Sequence, residues 1–318
     1  MSASFKRINY SLRPAKHAER KMLCDVFRRL IPFGRIEEYV YVGFGSVWFS
    51  DFVLFHRSLG VRNMISIEQA VNARERIEDN KPFRIPVDYR KSEYALPDLD
   101  WSRNQIIWLD YDVPLSTDIL LDMRTVARRA GTGTVLTVTV QCSKAPQSEE
   151  AEREPPSSLN RFINTFGQER VHHKTKEDQL YGWPFGELSR TMLQQEIDAE
   201  LAIRNFDNMT HEMHFHPICD IEYQDGAKMT TIIGVFCSAD NIDKLTECHF
   251  EALEFMPNDR SPIRIEVPTL TAREFKKLES QLPLFEGDEL QLGTIPKREA
   301  DQFVKLYRYL PNFAVLES

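Results

Sequence analysis

The 318-residue chain is poor in cysteine, has no long apolar run and carries no surplus of positive charge. Each absence removes a class of protein. Its five cysteines (Cys24, Cys142, Cys219, Cys237 and Cys248) are odd in number and form no Cys-x-x-Cys pair. A disulfide framework is therefore not expected, and reduced thiols in a cytoplasm fit better. No stretch approaches the roughly 18 consecutive apolar residues of a membrane span. Met1 to Arg13 lacks the apolar centre of a signal peptide, so the expectation is a cytoplasmic protein without membrane contact. A net charge of −8 argues against coating nucleic acid by bulk attraction. Internal repeats and low-complexity tracts are also missing.

What the chain does have is apolar and aromatic content, 42% and 11%, enough to fill a large core and to exclude disorder as its main state. Its charge is unevenly placed. Residues 1–36 hold nine Lys/Arg against Glu19 and Asp25, a balance of +7, which leaves −15 for the remainder.

Helical and strand periods alternate along the first half. Pro14 opens a helix in which Met22, Leu23, Val26, Phe27 and Leu30 recur at helical spacing, and Pro32-Phe33-Gly34 ends it. Tyr39 to Val42 reads as a buried strand closed by Gly43-Phe44-Gly45. The next helix carries Trp48, Phe52, Phe55 and Leu59 and stops at Gly60. Asn63 to Glu68 is a second strand and Ala70 to Asn80 a second helix. Arg84 to Val87 is a weak third strand and Gln105 to Asp110 a strong fourth. A helix from Thr117 to Ala130 follows, with Thr117 as its N-cap, and then a fifth strand from Thr134 to Val140. Such alternation predicts βαβ units around a parallel sheet.

The second half departs from this pattern. Ser143 to Ser158, with Glu149, Glu150, Glu152 and Glu154 before Pro155-Pro156, reads as a mobile acidic loop. Helices are expected around 158–166 and 185–204. His214 to Tyr223 and Lys228 to Cys237 read as strands joined by an Asp225-Gly226 hairpin turn. Thr271 and Glu274 form a capping box for a helix to about Leu282, and a further helix spans Lys297 to Tyr309.

Chemistry concentrates at the ends of the early strands. Gly43 and Gly45, between a strand and a helix, permit a sharp turn and close approach to backbone amides. Glu68 stands 23 residues after Gly45 at the end of the next strand, where a carboxylate can accept from a ribose diol. Leu109-Asp110-Tyr111-Asp112 ends the fourth strand. Ligands of open α/β sheets bind outside the carboxyl ends of strands, so the three elements converge on one crevice. Trp48 occupies the place of the third glycine of a dinucleotide fingerprint, which disfavours a dinucleotide.

With these elements the chain resembles the class I S-adenosylmethionine-dependent methyltransferases from Tyr39 to about Cys237. The resemblance implies a Rossmann-like α/β fold with a mainly parallel, seven-stranded sheet, a final antiparallel hairpin and flanking helices. It also implies S-adenosylmethionine as cofactor, with Gly43, Phe44 and Gly45 against its methionine part and Glu68 on its ribose. Asp88 or Tyr89 would lie near the adenine, and Asp110 near the transferred methyl. The sequence departs from the family's first motif at Tyr41, where an acidic residue is usual, and at Val47, where a third glycine is common. Residues 109–115 lack the Asn/Asp-Pro-Pro-Tyr/Phe of base N-methylating enzymes, which favours oxygen as acceptor. Asp110 and Asp112 match half of the acidic set of cation-dependent O-methyltransferases. Gln141-Cys142-Ser143 lacks the other half, so Mg²⁺ is not favoured. Asp112 reads equally well as a catalytic group and as a loop carboxylate.

Several features stay open at this stage. His211, His214, His216 and Cys219 resemble zinc spacing, but a partly exposed strand is the plainer account. His172 or His173 could serve as a general base near the acceptor, or simply end a helix. Tyr181-Gly182-Trp183-Pro184-Phe185 is either an aromatic wall over an acceptor or a loop anchored on the core. Lys16, with His17, Arg20 and Lys21, forms a cationic face able to pair with the cofactor's carboxylate or with a phosphate on the acceptor. Charge runs of this kind are also commonly solvated. The division expected is a basic helical segment (1–36) over the crevice, a methyltransferase-like domain (37–238) and a C-terminal helical extension (239–318). That extension holds ten basic and fifteen acidic residues. It would serve as a lid, a partner surface or a homodimer contact. The acceptor, a small molecule or RNA, is not identified. The competing function is a nucleotide- or nucleic-acid-binding module that uses the same crevice without methyl transfer.

Overall fold

The computed structural model describes residues 13–146, 157–206 and 211–311. In chain order the first half comprises α1 (Pro14–Arg28), β1 (Val40–Gly43), α2 (Ser50–Leu59), β2 (Asn63–Ile67), α3 (Arg74–Asp79), β3 (Val87–Asp88), α4 (Ser92–Ala95), β4 (Gln105–Pro114), α5 (Thr117–Arg129) and β5 (Val135–Gln141). Then follow α6 (Ser158–Phe166), α7 (Gly182–Phe206), β6 (Met213–Asp225), β7 (Ala227–Ser238), α8 (Ile242–Glu247), β8 (Ile263–Ile265), α9 (Ala272–Glu279) and α10 (Lys297–Leu306). The strands form one sheet in the order β3-β2-β1-β4-β5-β7-β6-β8. β1 to β5 run parallel, and β7 lies antiparallel between β5 and β6. The expected Rossmann-like sheet with a terminal hairpin is therefore present.

The number of strands is eight rather than seven. Ile263-Arg264-Ile265 joins the far edge parallel to β6, with Ile221 opposite Ile263 and Tyr223 opposite Ile265. Three residues are too few for a strand period to show against the helical stretches around them.

Alternation along the strands splits the core between the two faces of the sheet. Tyr41, Ile106, Trp108, Val135, Ile233 and Tyr223 face the side of α1, α2 and the C-terminal segment. Val42, Ile107, Leu109, Leu136, Val138 and Ile232 face the side of α5, α6 and α7. Aromatic rings fill the seam between α1, α2 and the sheet. Tyr41 meets Phe52 and Phe55 edge-on at 4.8 and 5.0 Å, and Phe27 meets Phe55 at 5.3 Å. The residues after α10 close over α1, where Lys21 donates to the carbonyls of Arg308 and Leu310 and the Tyr309 hydroxyl donates to Asp25.

Several boundaries differ from the sequence expectations for local reasons. Ser116, not Thr117, caps α5: its extended backbone (φ −138°, ψ 166°) lets its hydroxyl accept from the Ile119 amide. Residues 70–80 divide into a 3₁₀ turn (Val71–Ala73) and a short α3. α7 begins at Gly182, so the Gly182-Trp183-Pro184 stretch read as loop is a helical first turn, where proline's missing amide costs nothing. β4 runs four residues beyond Asp110, with a register irregularity between Asp110 and Pro114 that re-aims its tail. α9 and α10 end at Glu279 and Leu306, earlier than expected. The acidic stretch 147–156 and the first twelve residues, with Lys6 and Arg7, lie outside the described residues. No described helix is long and apolar enough to cross a membrane.

The start of α1 is tied to the hairpin tip. Asp225, 209 residues away, accepts from the backbone amide of Lys16 at 2.8 Å and from that of Ala15 at 3.3 Å. These amides have no partner inside the helix, and a carboxylate also meets the positive end of the helix dipole. Replacing Asp225 by Ala is expected to cost about 1 kcal/mol of stability, as loss of a helix cap does. Denaturant unfolding measures that loss, and hydrogen exchange should speed up at Ala15 and Lys16; unaltered exchange at these two amides contradicts the cap.

Candidate active site

The parallel register sets the sequence-selected residues in a row along one edge of the sheet. Gly43 lies opposite Ser66 on one side and Trp108 on the other, and Ile67 lies opposite Asp88. Asp88, Glu68, Gly45 and Asp110 therefore lie on or just past adjacent strands at similar heights. With strands about 4.8 Å apart, the row spans about 15 Å.

The glycine turn is shaped first by packing. A Cβ on Gly45 would stand 2.5 Å from the Phe49 ring and 2.7 Å from Ser66 Oγ, and a Cβ on Gly43 would collide with the Tyr41 hydroxyl. The Gly45 amide donates to Ser66 Oγ at 3.0 Å. Ser46 and Phe49 both adopt left-handed backbone (φ 49° and 45°), which folds the turn tightly against the ends of β1 and β2. Phe44 leaves this turn to meet Tyr111 edge-on at 5.2 Å.

Glu68 is half-buried beside the turn. Its Oε1 accepts from the Ala70 amide at 2.9 Å, and its own amide donates to the Asp88 carbonyl at 2.9 Å. Burial pushes its carboxyl above the usual glutamate range, and backbone amides of Ala70, Gln69 and Ser46 partly counter this. Asp112, exposed on the β4 tail, adds to the upward push, which places it within electrostatic reach of Glu68. Asp88 is committed to Arg90 at 2.6 Å, which holds its carboxyl below the ordinary range, and Arg90 also binds Asp98 at 2.6 Å. Tyr89 turns toward α3, where its hydroxyl donates to Glu78 at 3.0 Å and Arg74 lies 4.7 Å from its ring.

Lys16 has the most enclosed position of the sequence-selected charged residues, at 2% exposure. Its Nζ is 2.7 Å from Asp110 and 2.8 Å from Glu19, and lies 4.3 Å from the Trp108 ring centroid and 5.4 Å from that of Tyr223. From Glu19 a chain of hydrogen bonds crosses the sheet. Thr231 donates to Glu19, Thr231 and Thr139 hydroxyls lie 2.9 Å apart, and the Trp108 indole donates to Thr139 at 3.0 Å. Burial raises the Glu19 carboxyl, while Lys16 pulls it down.

Three further residues complete this centre, and of them only Arg20 stands out in the sequence, as part of the cationic face. Asp51, in the first turn of α2, accepts from the Tyr41 hydroxyl, and burial raises the carboxyl and the phenol alike. Arg20, one turn beyond Lys16, is 6% exposed, and its buried Nε has no hydrogen-bond partner among the described residues; its charge opposes the upward shift of Asp51. Glu19 is the third. The available signal is the placement of Lys16, Glu19 and Arg20 among Ala15, Ala18, Met22 and Leu23, on the buried stripe of α1 rather than its wet face. Tyr41 thus reaches a carboxylate through its hydroxyl at the position where the resembled family carries an acid on the strand itself.

The other open features lie elsewhere. The His214 and His216 rings are 6.1 Å apart on β6, with His214 near Glu212. Among the described residues no group of three or more His, Cys, Asp or Glu is arranged to hold a metal ion. His172 and His173 stack on each other at 4.3 Å in the segment before α7.

Removing one partner of a buried ion pair strands the other charge in a medium that solvates it poorly. Lys16→Met is accordingly expected to cost about 3 kcal/mol in denaturant unfolding, the lower end for such pairs. A loss below about 1 kcal/mol would place the pair with solvent-exposed salt bridges instead.

Residues 8–318 match the model of the family described as "Putative O-methyltransferase". No curated protein matches the chain. Among solved structures it is similar to the LepI complex with SAM, at 9% identity and a TM-score of 0.36, over 66% of this chain and 46% of that one. It is also similar to the precorrin-6y C5,15-methyltransferase from Geobacter metallireducens GS-15, at 9% identity and a TM-score of 0.32, over 62% and 81%. A third is the plantazolicin methyltransferase BamL in complex with a triazolic desmethylPZN analog and SAH, at 8% identity and a TM-score of 0.40, over 72% and 87%. The chain thus spans less than half the length of the first of these structures. On the match that covers it from residue 8 to residue 318, the chain belongs to this O-methyltransferase family.

Proposed function

We propose that the crevice at the carboxyl ends of β1, β2 and β4 binds S-adenosylmethionine and that the protein transfers its methyl group to an oxygen of a small acceptor. The observation that carries this reading is Glu68, a backbone-anchored carboxylate beside the Gly43–Ser46 turn, in a chain that belongs to an O-methyltransferase family. A carboxylate accepts only, and the two hydroxyls of a ribose donate, so the pair matches in number and direction.

The residues present fit the cofactor at both ends. In this reading Glu68 holds the ribose, and the adenine lies by the ends of β2 and β3, where Asp88 is tied to Arg90 and Tyr89 to Glu78. At the other end Arg20 offers a buried guanidinium whose Nε lacks a partner among the described residues, which suits a carboxylate. Lys16 is bonded to Asp110 and Glu19, so in this reading it positions Asp110. When bound, the cofactor supplies an electrophilic methyl group. The protein's part is alignment: Asp110, fixed from behind by Lys16, and Asp112 on the bulged tail of β4 orient the attacking oxygen, and positioning provides most of the rate. The net charge of −8 favours a small acceptor over RNA, and the unpaired cysteines favour a cytoplasmic setting.

Isothermal titration with S-adenosylhomocysteine tests the reading. The wild type should bind, and Glu68→Gln should bind at least about tenfold more weakly, as loss of a charged hydrogen-bond acceptor implies. Absence of binding by the wild type, or equal binding by the variant, rejects it.

The same site sets a pH dependence. Because burial raises the Glu68 carboxyl, it gains its proton at a pH above the ordinary value of 4.5. Ribose binding needs the ionised form, so affinity should fall on acidification with a midpoint above 4.5. Protonation relieves a buried charge, so the loss does not come from Glu68 unfolding the protein. In Glu68→Gln this component should be flat; an identical pH profile in the variant would assign the dependence to another group.

A further inference from the structure

A concave space lies along the same edge of the sheet, beyond β5. It has a volume of about 430 Å³ and is lined by Ser143, Tyr181, Gly182, Trp183, Pro184, Gln224 and Lys228. That is within the range of small-molecule sites, about 300 to 1,000 Å³. Its walls are tied together. Lys144 bridges Tyr181, the Gly182 amide donates to the Ser143 carbonyl at 3.2 Å, and the Lys228 amide donates to Ser143 Oγ at 3.0 Å.

Charge decides what such a space can hold. On the inner side Arg190 binds Asp220 and Glu222 at 3.0 Å each, and Arg264 binds Glu222 at 2.6 Å. Two cations and two carboxylates there cancel. Lys228 and Lys144 have no carboxylate at ion-pair distance among the described residues. Lys228 Nζ stands 4.9 Å from the Trp183 ring centroid, and Lys144 Nζ 6.0 Å from that of Tyr181. Gly182, at φ +62°, brings the backbone so close that a Cβ there would lie 3.3 Å from Lys228 Nζ. The ammonium thus sits over the first turn of the 25-residue α7, whose dipole is positive at that end. Lys228 and the N-terminus of α7 thus give one side of the cavity a positive character beside the Trp183 ring.

We propose that this cavity binds an anionic group, carboxylate or phosphate, of the methyl acceptor, and that Lys228 and Trp183 set acceptor specificity; its assignment to the acceptor rests on the methyltransferase reading above. β7 lies two strands from β4, about 10 Å. The acceptor therefore carries its anion roughly 10 Å from the oxygen presented at Asp110, so inorganic phosphate alone cannot span both positions.

The test uses the whole protein with S-adenosylhomocysteine present. Binding of phenyl phosphate, benzoate and neutral benzyl alcohol is followed by tryptophan fluorescence, with Trp183→Phe identifying the signal from the cavity. At least one anionic probe should bind better than benzyl alcohol, and Lys228→Gln should weaken it about tenfold, as loss of one charged hydrogen bond implies. Preference for phenyl phosphate or for benzoate identifies the anion as phosphate or carboxylate. Equal affinity for all three probes, no binding of any, or anion binding unchanged in Lys228→Gln overturns the proposal. Calorimetry with S-adenosylhomocysteine on wild type and Lys228→Gln separates the two readings. If the wild type binds the anion and not S-adenosylhomocysteine, methyl transfer fails and the anion site stands; the reverse result removes the anion site alone.

Discussion

A lysine ammonium taken out of water loses several kcal/mol of hydration, and the loss is tolerated only where opposite charge and hydrogen-bond partners replace the water. Lys16 meets that requirement between Glu19 and Asp110 and over the rings of Trp108 and Tyr223. The position of α1 follows from it. Displacing the helix would strand three charges and uncover the Thr231–Thr139–Trp108 chain behind them. Asp225 fixes the helix start from the hairpin tip, and the segment after α10 covers its outer side, so β6, β7 and the C-terminal region all bear on the placement of one side chain.

Along the sheet edge the two proposed sites flank this arrangement. On the β1–β2 side, the tight Gly43–Phe49 turn, Glu68 and the buried Arg20 present groups matched to a nucleoside and to a carboxylate. On the β5–β7 side, Trp183, Tyr181 and Lys228 surround a cationic cavity. Asp110 stands between them on β4, and its orientation is set by Lys16 rather than by solvent. Over its described residues the basic N-terminal segment is more than a solvated positive surface. Its described part buries Lys16 and Arg20 in the protein, while His17, on the same helix, is held neutral down to a pKa of about 4 by burial and by Lys21 and Arg20.

Much of the sheet is legible in the sequence because a βαβ unit announces itself locally. A short β-branched run, a glycine stop and an apolar helix stripe recur from Tyr39 to Val140, and the Asp225-Gly226 turn marks the hairpin. The eighth strand is not legible, since Ile263–Ile265 becomes a strand only by pairing with β6. The first turn of α7 is hidden because Gly182 and Pro184 resemble loop residues out of context. Glu68 and Asp110 can be selected because the alternation brings them to the carboxyl side of the sheet, although β4 itself continues to Pro114. The tasks of Lys16, Glu19 and Arg20 depend on partners distant in sequence: Lys16 on Asp110, 94 residues away, and Glu19 on Thr231, 212 residues away. No local period encodes those distances. Their presence on an apolar helix face is the only trace.

The account rests on the β1–β2 crevice as the cofactor site. A crystal structure of the protein grown with S-adenosylhomocysteine tests it most directly. The account predicts density in that crevice, with the ribose hydroxyls bonded to Glu68, the amino-acid carboxylate on Arg20, and Lys16 still bonded to Asp110. Ligand density bound elsewhere on the fold, with Glu68 and Arg20 free of contact, would contradict it.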